Sequence, residues 1–161
     1  RFAEALALTP EDFDFEKQCI VVNKSWNYKE KEGHFQPTKN ASSNRSVMVD
    51  WQLMQQFKSL IANKVSNKPI FFEEGQRVYN STLNKKLTRY CEELGIPTIS
   101  IHGLRHTHAS LLLYEGVSVA SVAKRLGHNN TTTTQETYIH IIKELENKDN
   151  DKILHHLSQL R

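Results

Sequence analysis

Residues 100–145, SIHGLRHTHASLLLYEGVSVASVAKRLGHNNTTTTQETYIHIIKEL, have the pattern of three consecutive helices. Ser100 is a residue type that caps helix N-termini and Gly116 is typical of a helix end, which predicts a first helix to about residue 115. Ser118 and Gly127 bound a second helix in the same way. Capping-box patterns predict a third helix over residues 132–145. This half of the chain is therefore predicted to be helical.

The rest of the chain adds helices and a small sheet. Residues 18–26 are rich in Ile and Val, residues 29–34 form a charged turn, and residues 46–49 are a short apolar run, which together predict a small antiparallel sheet. Apolar spacing predicts further helices at residues 1–8, 50–62, 81–94 and 153–160. The chain is therefore predicted to be α+β, mostly α-helical with the small sheet at one edge.

The composition limits the class of protein. With 161 residues, 38% of them hydrophobic and 24% charged, the chain has the size and composition of one globular domain. No apolar run approaches the roughly 20 residues that a bilayer span needs, so a membrane protein is not expected. Cys19 and Cys91 lie far apart in apolar segments and are expected to be buried free thiols. Because the chain begins with Arg1 and shows no leader sequence, we expect a fragment of a cytoplasmic protein.

Positive charge is concentrated in two stretches of the chain. Residues 17–45 carry six Lys or Arg against two Glu, and residues 58–89 carry seven against two, within a net charge of +3. This distribution favours an anionic partner. Solvated surface lysines give the same pattern, so charge alone leaves both interpretations open.

Three short motifs follow one another in the helical half: His102-Gly103-Leu104-Arg105, Leu126-Gly127-His128 and Tyr138-Ile139-His140. Their order resembles the second half of the active site of tyrosine recombinases, as found in phage integrases and integrative-element recombinases. Nearer the N-terminus, Arg1 with Glu4 resembles the first-arginine motif of that family. Pro37-Thr38-Lys39, followed by Arg45, resembles the hairpin that carries its lysine. The resemblance covers residues 1–140.

The resemblance implies a catalytic domain with the DNA breaking-rejoining enzyme fold, in which the sheet has three antiparallel strands. The implied activity is site-specific recombination or integration of DNA through a 3′-phosphotyrosyl intermediate, without a cofactor or a metal ion. Double-stranded attachment or core sites would be the substrate, bound by a homotetramer on two duplexes with DNA-bending accessory proteins as further partners. The expected location is the bacterial cytoplasm, on the nucleoid.

Two expectations about the ends of the domain also come from the resemblance. Because relatives carry a core-binding domain upstream, the chain is expected to be an N-terminally truncated catalytic domain that is inactive or weakly active alone. Residues 145–161 are expected to form a tail helix that is exchanged between protomers.

Tyr138 is the nucleophile that the resemblance implies. A tyrosine hydroxyl has a pKa of about 10, so attack on a phosphodiester near neutral pH requires help with its proton, and His102 is implied to give it. Arg1 and Arg105 are implied to clamp the phosphate, because each guanidinium can donate paired hydrogen bonds to phosphate oxygens. His128 is implied to bind the same phosphate.

Three further residues complete the implied site. Lys39 would protonate the leaving 5′ oxygen as a general acid. Glu4 lies one helical turn from Arg1 and would hold its guanidinium by an ion pair. His140 would support the helix that carries the nucleophile.

The residues alone leave alternatives open. Tyr138 falls on one helical stripe with the apolar residues at 141, 142 and 145, which is also the pattern of a core aromatic residue. Lys24, Lys29 and Lys31 share the basic hairpin region with Lys39. At the level of function, the alternatives are a non-cleaving DNA-binding regulator on the same fold and an enzyme that relaxes DNA like a type IB topoisomerase.

A metal site built from the other histidines is not favoured. They have no carboxylate or thiolate partner at a recognisable ligand spacing, so structural roles are expected for them. These histidines are His106, His108, His140, His155 and His156.

Overall fold

The computed structural model describes residues 1–30, 32–73 and 76–159, except for the side chain of residue 148. Seven helices are found in these parts of the chain: α1 (Phe2–Leu6), α2 (Trp51–Ile61), α3 (Asn80–Glu93), α4 (Ile101–Tyr114), α5 (Val119–Leu126), α6 (Thr132–Thr137) and α7 (Ile139–Gln159). The strands are β1 (Phe13–Asp14), β2 (Cys19–Val22), β3 (Lys24–Trp26), β4 (Phe35–Pro37) and β5 (Arg45–Met48). The predicted α+β class is confirmed.

The chain divides into two compact units, Arg1–Arg105 and His106–Arg161, and the dividing point falls inside α4. The first unit contains all five strands. The second contains most of α4 and the three helices that follow it. None of the helices in the described parts is long and apolar enough to cross a membrane.

The first unit is built on a three-stranded antiparallel sheet in the order β1-β2-β5, as predicted. Residues 18–26, predicted as one extended segment, divide at Asn23: β2 pairs with β5, whereas β3 pairs with β4 in a separate hairpin. The returning strand β4 was not predicted, because it is only three residues long and contains a proline, which strands disfavour.

Two apolar clusters explain why these elements hold together. In the first unit, Phe13 and Ile20 of the sheet are buried with Met54 of α2 and with Ile70. Asp50 starts α2 by accepting hydrogen bonds from the amides of residues 52 and 53. Cys19 and Cys91 are buried and free, as predicted.

The second unit has its own core, formed by Ala109 and Leu113 of α4, Val122 and Leu126 of α5, and Tyr138. Leu113, Val122 and Tyr138 are each at most 3% exposed. Because α6 has only six residues, its position depends on this packing more than on intrinsic helix stability.

The predicted helix over residues 132–145 is wrong in one respect, because it is interrupted at Tyr138. Tyr138 adopts φ −115° and ψ 22°, which ends α6, and α7 begins at the next residue. The short terminal helix predicted at 153–160 is the last part of α7, up to Gln159, and residue 160 lies outside the described residues. The charged stretch before it continues the helix, supported by an ion pair between Lys152 and Asp149 (3.0 Å).

Candidate active site

Glu4 is the centre of a buried ion network in the first unit. Its carboxylate accepts a hydrogen bond from Arg1 (Nη1 to Oε1, 2.6 Å) and another from Arg45 (Nη2 to Oε2, 2.9 Å). Arg45 reaches Glu4 from β5, whose register is fixed by pairing of Arg45 with Val22 of β2. The ion pair predicted between Arg1 and Glu4 is therefore present, and Arg45 is its third member.

The guanidinium groups keep Glu4 ionised and concentrate positive charge near residue 1. Burial would raise the pKa of the Glu4 carboxyl, but the hydrogen bonds and charges of Arg1 and Arg45 act in the opposite direction, and this pKa is lowered. Arg105 lies close enough to the backbone nitrogen of residue 1 for its charge to act there. Arg1, Arg45 and Arg105 thus form one positively charged region, suited to an anion.

The segment next to Lys39 is tied to Arg1 through Ser43. Arg1 Nη1 donates to Ser43 Oγ (2.7 Å), and Ser43 Oγ donates to Asn40 Oδ1 (2.6 Å). Asn40 also caps the 3-10 turn Ala41–Ser43 by accepting from the Ser43 amide (3.0 Å). The turn after β4 is therefore held against the first arginine by buried hydrogen bonds.

Lys39 differs from Lys24 in having no side-chain partner among the described residues. It is exposed, and its ammonium makes no hydrogen bond or ion pair within residues 1–30, 32–73 and 76–159. By contrast, Lys24 Nζ is bound to the buried Asp12 carboxylate (2.5 Å to Oδ1), which makes it a structural residue. Lys29 is exposed, and Lys31 lies outside the described residues.

His102 and Arg105 lie in the first two turns of α4. The Gly103 amide donates to Ser100 Oγ (2.9 Å), so Ser100 caps this helix as predicted. The Ile101 amide donates to Asn84 Oδ1 of α3 (2.8 Å), which fixes the start of α4 against α3. His102 is exposed and Arg105 is half-buried.

His128 is positioned by the glycine before it and by a buried threonine. Gly127 ends α5 with φ +68°, a left-handed conformation that favours glycine. The His128 amide then donates to the Ala123 carbonyl (3.0 Å). The His128 ring contacts Thr134 of α6, with 2.7 Å between Nδ1 and Oγ1. Because Thr134 is fully buried, its hydroxyl restricts the orientation of this imidazole.

Tyr138 has its ring in the core of the second unit and its hydroxyl on a histidine. The residue is 3% exposed, and its ring belongs to the cluster that contains Leu113 and Leu126. Its Oη lies 2.9 Å from Nδ1 of His106. His140, on the first turn of α7, is exposed, and its supporting role stays a prediction.

His106, Arg45 and Thr134 make contacts at the candidate site that were not predicted from the sequence. His106 precedes Ala109 by three residues and Leu113 by seven on α4, a spacing that places the exposed His106 at the edge of the face that carries these core residues. Arg45 was quoted only as part of the motif that contains Lys39, and no local signal identifies Thr134. Within the described part of the chain, no three His, Cys, Asp or Glu residues are grouped so that they could hold a metal ion.

The sequence profile of the phage integrase family matches residues 1–144 of the chain. The chain belongs to the phage integrase family. The integrase of Staphylococcus phage L54a is 28% identical over 168 aligned residues, covering 95% of this chain and 48% of the phage protein. The ICEBs1 integrase of Bacillus subtilis (strain 168) is 26% identical over 167, covering 95% of this chain and 45% of that integrase. This phage integrase family chain thus spans about half the length of the curated relatives it matches.

A solved structure of the Tn1549 transposon integrase has the same fold, with a TM-score of 0.70 over 86% of this chain and 50% of that one at 23% identity. The predicted resemblance to tyrosine recombinases is confirmed. The part that matches the phage integrase family includes every predicted site residue, whereas residues 145–161, the predicted tail, lie beyond it.

Proposed function

We propose that this phage integrase family chain carries out site-specific DNA recombination, cutting one strand through a 3′-phosphotyrosyl intermediate and rejoining it to a partner strand. One observation carries the proposal: a single family match over residues 1–144 contains, in the expected order, all the residue types that this chemistry needs. The Tn1549 transposon integrase was solved in complex with transposon right end DNA. Double-stranded DNA is accordingly the substrate we propose here.

In the proposed reaction, Tyr138 attacks the scissile phosphorus and the bond to the 5′ oxygen breaks. Lys39 supplies the proton that the leaving 5′ oxygen takes up. Its exposure and its lack of a partner within residues 1–30, 32–73 and 76–159 support this role, since it can reach a ligand without breaking an ion pair. The phosphotyrosyl bond retains the energy of the broken bond, so a 5′ hydroxyl can reseal DNA without ATP.

Stabilisation of the phosphate is assigned to Arg1, Arg105, His102 and His128. Guanidinium groups suit this task because they stay charged and donate hydrogen bonds in pairs. The bond from Arg1 to the buried Glu4 (2.6 Å) supports a fixed orientation for that guanidinium. The contact of His128 with Thr134 (2.7 Å) supports a fixed orientation for the imidazole of His128. Glu4 and His140 are proposed as supporting residues.

We further propose that the enzyme acts as a homotetramer on two duplexes in the bacterial cytoplasm, with DNA-bending accessory proteins. Ile153, Leu154 and Leu157 on α7 are 54%, 66% and 55% exposed, an apolar face that an exchanged tail would cover in a neighbouring protomer. Deleting residues 151–161 is expected to weaken synapsis of two DNA sites in a gel-shift assay. Unchanged recombination after this deletion would remove the exchange from the proposal.

The covalent intermediate provides the test of function. A nicked suicide duplex that carries the recombination site, found by binding-site selection, should trap the complete protein as a protein–DNA adduct. Tyr138→Phe should abolish the adduct and leave DNA binding unchanged, because only the attacking oxygen is lost. A DNA-binding regulator would give no adduct with the wild type. Recombinant product from two-site plasmids separates strand exchange from relaxation of a single plasmid.

A further inference from the structure

The hydroxyl of Tyr138 is hydrogen-bonded to a histidine that sequence analysis treated as structural. His106 Nδ1 lies 2.9 Å from Tyr138 Oη, and the two rings are tilted at 54° with their centroids 5.9 Å apart. Resting on the function proposed above, we propose that His106 is a catalytic residue that receives the proton of Tyr138 as the phenol attacks phosphorus. This gives His106 the role that the family resemblance gave to His102.

The core of the second unit fixes the tyrosine side of this contact, whereas His106 is exposed. The Tyr138 ring is held between α4 and α5 by Leu113, Val122 and Leu126, and the residue is 3% exposed. His106 lies on the same face of α4 as Leu113, seven residues earlier. Core packing therefore sets the position of the Tyr138 ring, and its hydroxyl meets the imidazole of His106 on α4.

The distance between Nδ1 of His106 and Oη of Tyr138 is suitable for transfer of the phenol proton. A general base has to lie within hydrogen-bonding reach of the proton that it removes, about 2.6–3.2 Å between heavy atoms, and the separation of 2.9 Å falls in that range. For this role Tyr138 Oη has to donate to Nδ1, so the proposal requires a neutral ring that bears its proton on Nε2.

The bonds and charges of the step balance. The Oη–H bond of Tyr138 breaks and its proton moves to Nδ1 of His106, while the Oη–P bond forms and the P–O5′ bond breaks. The electron pair of the broken bond leaves on the 5′ oxygen, which takes a proton from Lys39. In rejoining, the attacking 5′ hydroxyl returns its proton to Lys39 as the P–O5′ bond forms, and the imidazolium returns its proton to Oη as the Oη–P bond breaks. A phenol is a much weaker acid than an imidazolium, so the proton moves only as the Oη–P bond forms.

The experiment compares three variants in the complete protein by single-turnover cleavage of the nicked suicide duplex. His106→Ala should lower the rate by about 100-fold or more, the range for loss of a general base. His106→Asn keeps a polar atom near the position of Nδ1 but cannot take the proton, so it should stay within a few fold of the alanine variant. His108→Asn changes an exposed histidine two residues along α4 whose ring accepts a hydrogen bond from Arg125 (2.8 Å) and makes none with Tyr138 among the contacts described; it should cleave within about twofold of the wild type.

Two outcomes with these variants overturn the proposal. A near wild-type rate for His106→Asn would mean that the bond only positions the phenol. A rate increase in His106→Ala would mean that His106 holds Tyr138 back. Failure of the wild type itself to form an adduct would instead sink the proposed function, so the two failures are distinguishable.

One further measurement separates the role of His106 from that of Lys39, and a second, on the wild type, keeps the proposal testable if the variants unfold. A 5′-phosphorothiolate duplex has a leaving group that needs no proton, so it should restore cleavage to Lys39→Ala but not to His106→Ala; rescue of the latter would assign His106 to the leaving group instead. In the wild type, ¹⁵N chemical shifts of labelled histidine should show a neutral His106 protonated on Nε2. A proton on Nδ1 in the neutral ring would exclude it as the acceptor.

Discussion

Replacing Glu4 by Gln removes the charge on which two arginines converge and keeps the shape of the side chain. The carboxylate is bound at 2.6 Å by Arg1 and at 2.9 Å by Arg45, and its side chain is only 5% exposed. Removing one partner of a buried ion pair costs about 3–5 kcal/mol. Most of this cost comes from the loss of the ion pair with Arg45, because the Arg45 side chain is only 9% exposed. The Arg1 side chain is 29% exposed and partly solvated. We therefore expect Glu4→Gln to lower the free energy of unfolding by about 3 kcal/mol.

Thermal unfolding followed by circular dichroism measures this loss. For a domain of this size each kcal/mol lowers the Tm by roughly 2–4 °C, so the expected shift is roughly 6–12 °C. Glu92→Gln is the matched control, because it removes an exposed carboxylate on α3 of the same unit and should change stability by less than about 0.5 kcal/mol.

The difference in the free energy of unfolding between the wild type and Glu4→Gln should also depend on pH. Burial would raise the pKa of Glu4, but the hydrogen bonds and charges of Arg1 and Arg45 act against it, and the pKa lies below its ordinary value of 4.5. A lowered pKa means that the native state favours the ionised carboxyl, so its contribution is complete above pH 4.5 and is lost as the pH falls through the native pKa. A variant as stable as the wild type at pH 7, or a difference that persists unchanged in acid, would refute the reasoning.

Two other substitutions test contacts of the same kind. Thr134→Val removes the hydroxyl that contacts the His128 ring at 2.7 Å. Because one such hydrogen bond is worth about 1 kcal/mol, the rate of single-turnover cleavage should fall roughly fivefold with DNA binding unchanged. An unaltered rate would show that the threonine does not orient the ring. Lys24→Met takes the ammonium from a carboxylate that is 5% exposed and should cost about 3 kcal/mol in thermal melts. Lys17→Met, whose own side chain is 80% exposed, should leave the melting curve almost unchanged. Equal effects of the two substitutions would contradict the difference in burial.

Local patterns in the sequence determined the helices and the family. Ser100, Ser118 and Gly127 predicted helix boundaries correctly, because capping and the left-handed conformation of glycine depend on only a few neighbouring residues. The order and spacing of the three motifs in the helical half sufficed to indicate the family, because both are properties of the linear sequence and do not depend on how the chain packs. Residue patterns predicted a small antiparallel sheet and the resemblance implied its three strands, but the separation of this sheet from the β3–β4 hairpin was not predicted.

Tertiary structure alone decided which groups meet. His106 and Tyr138 are 32 residues apart, and Glu4 and Arg45 are 41 apart, so no local periodicity links either pair. The first contact exists because α4 and the α6–α7 junction pack on one core, and the second because β5 has its register on β2. The break at Tyr138 has the same origin: the helical pattern continues through residue 138, but the backbone there follows the packing of its ring. Contacts of this kind depend on how distant segments pack against each other, and local sequence patterns do not show that packing.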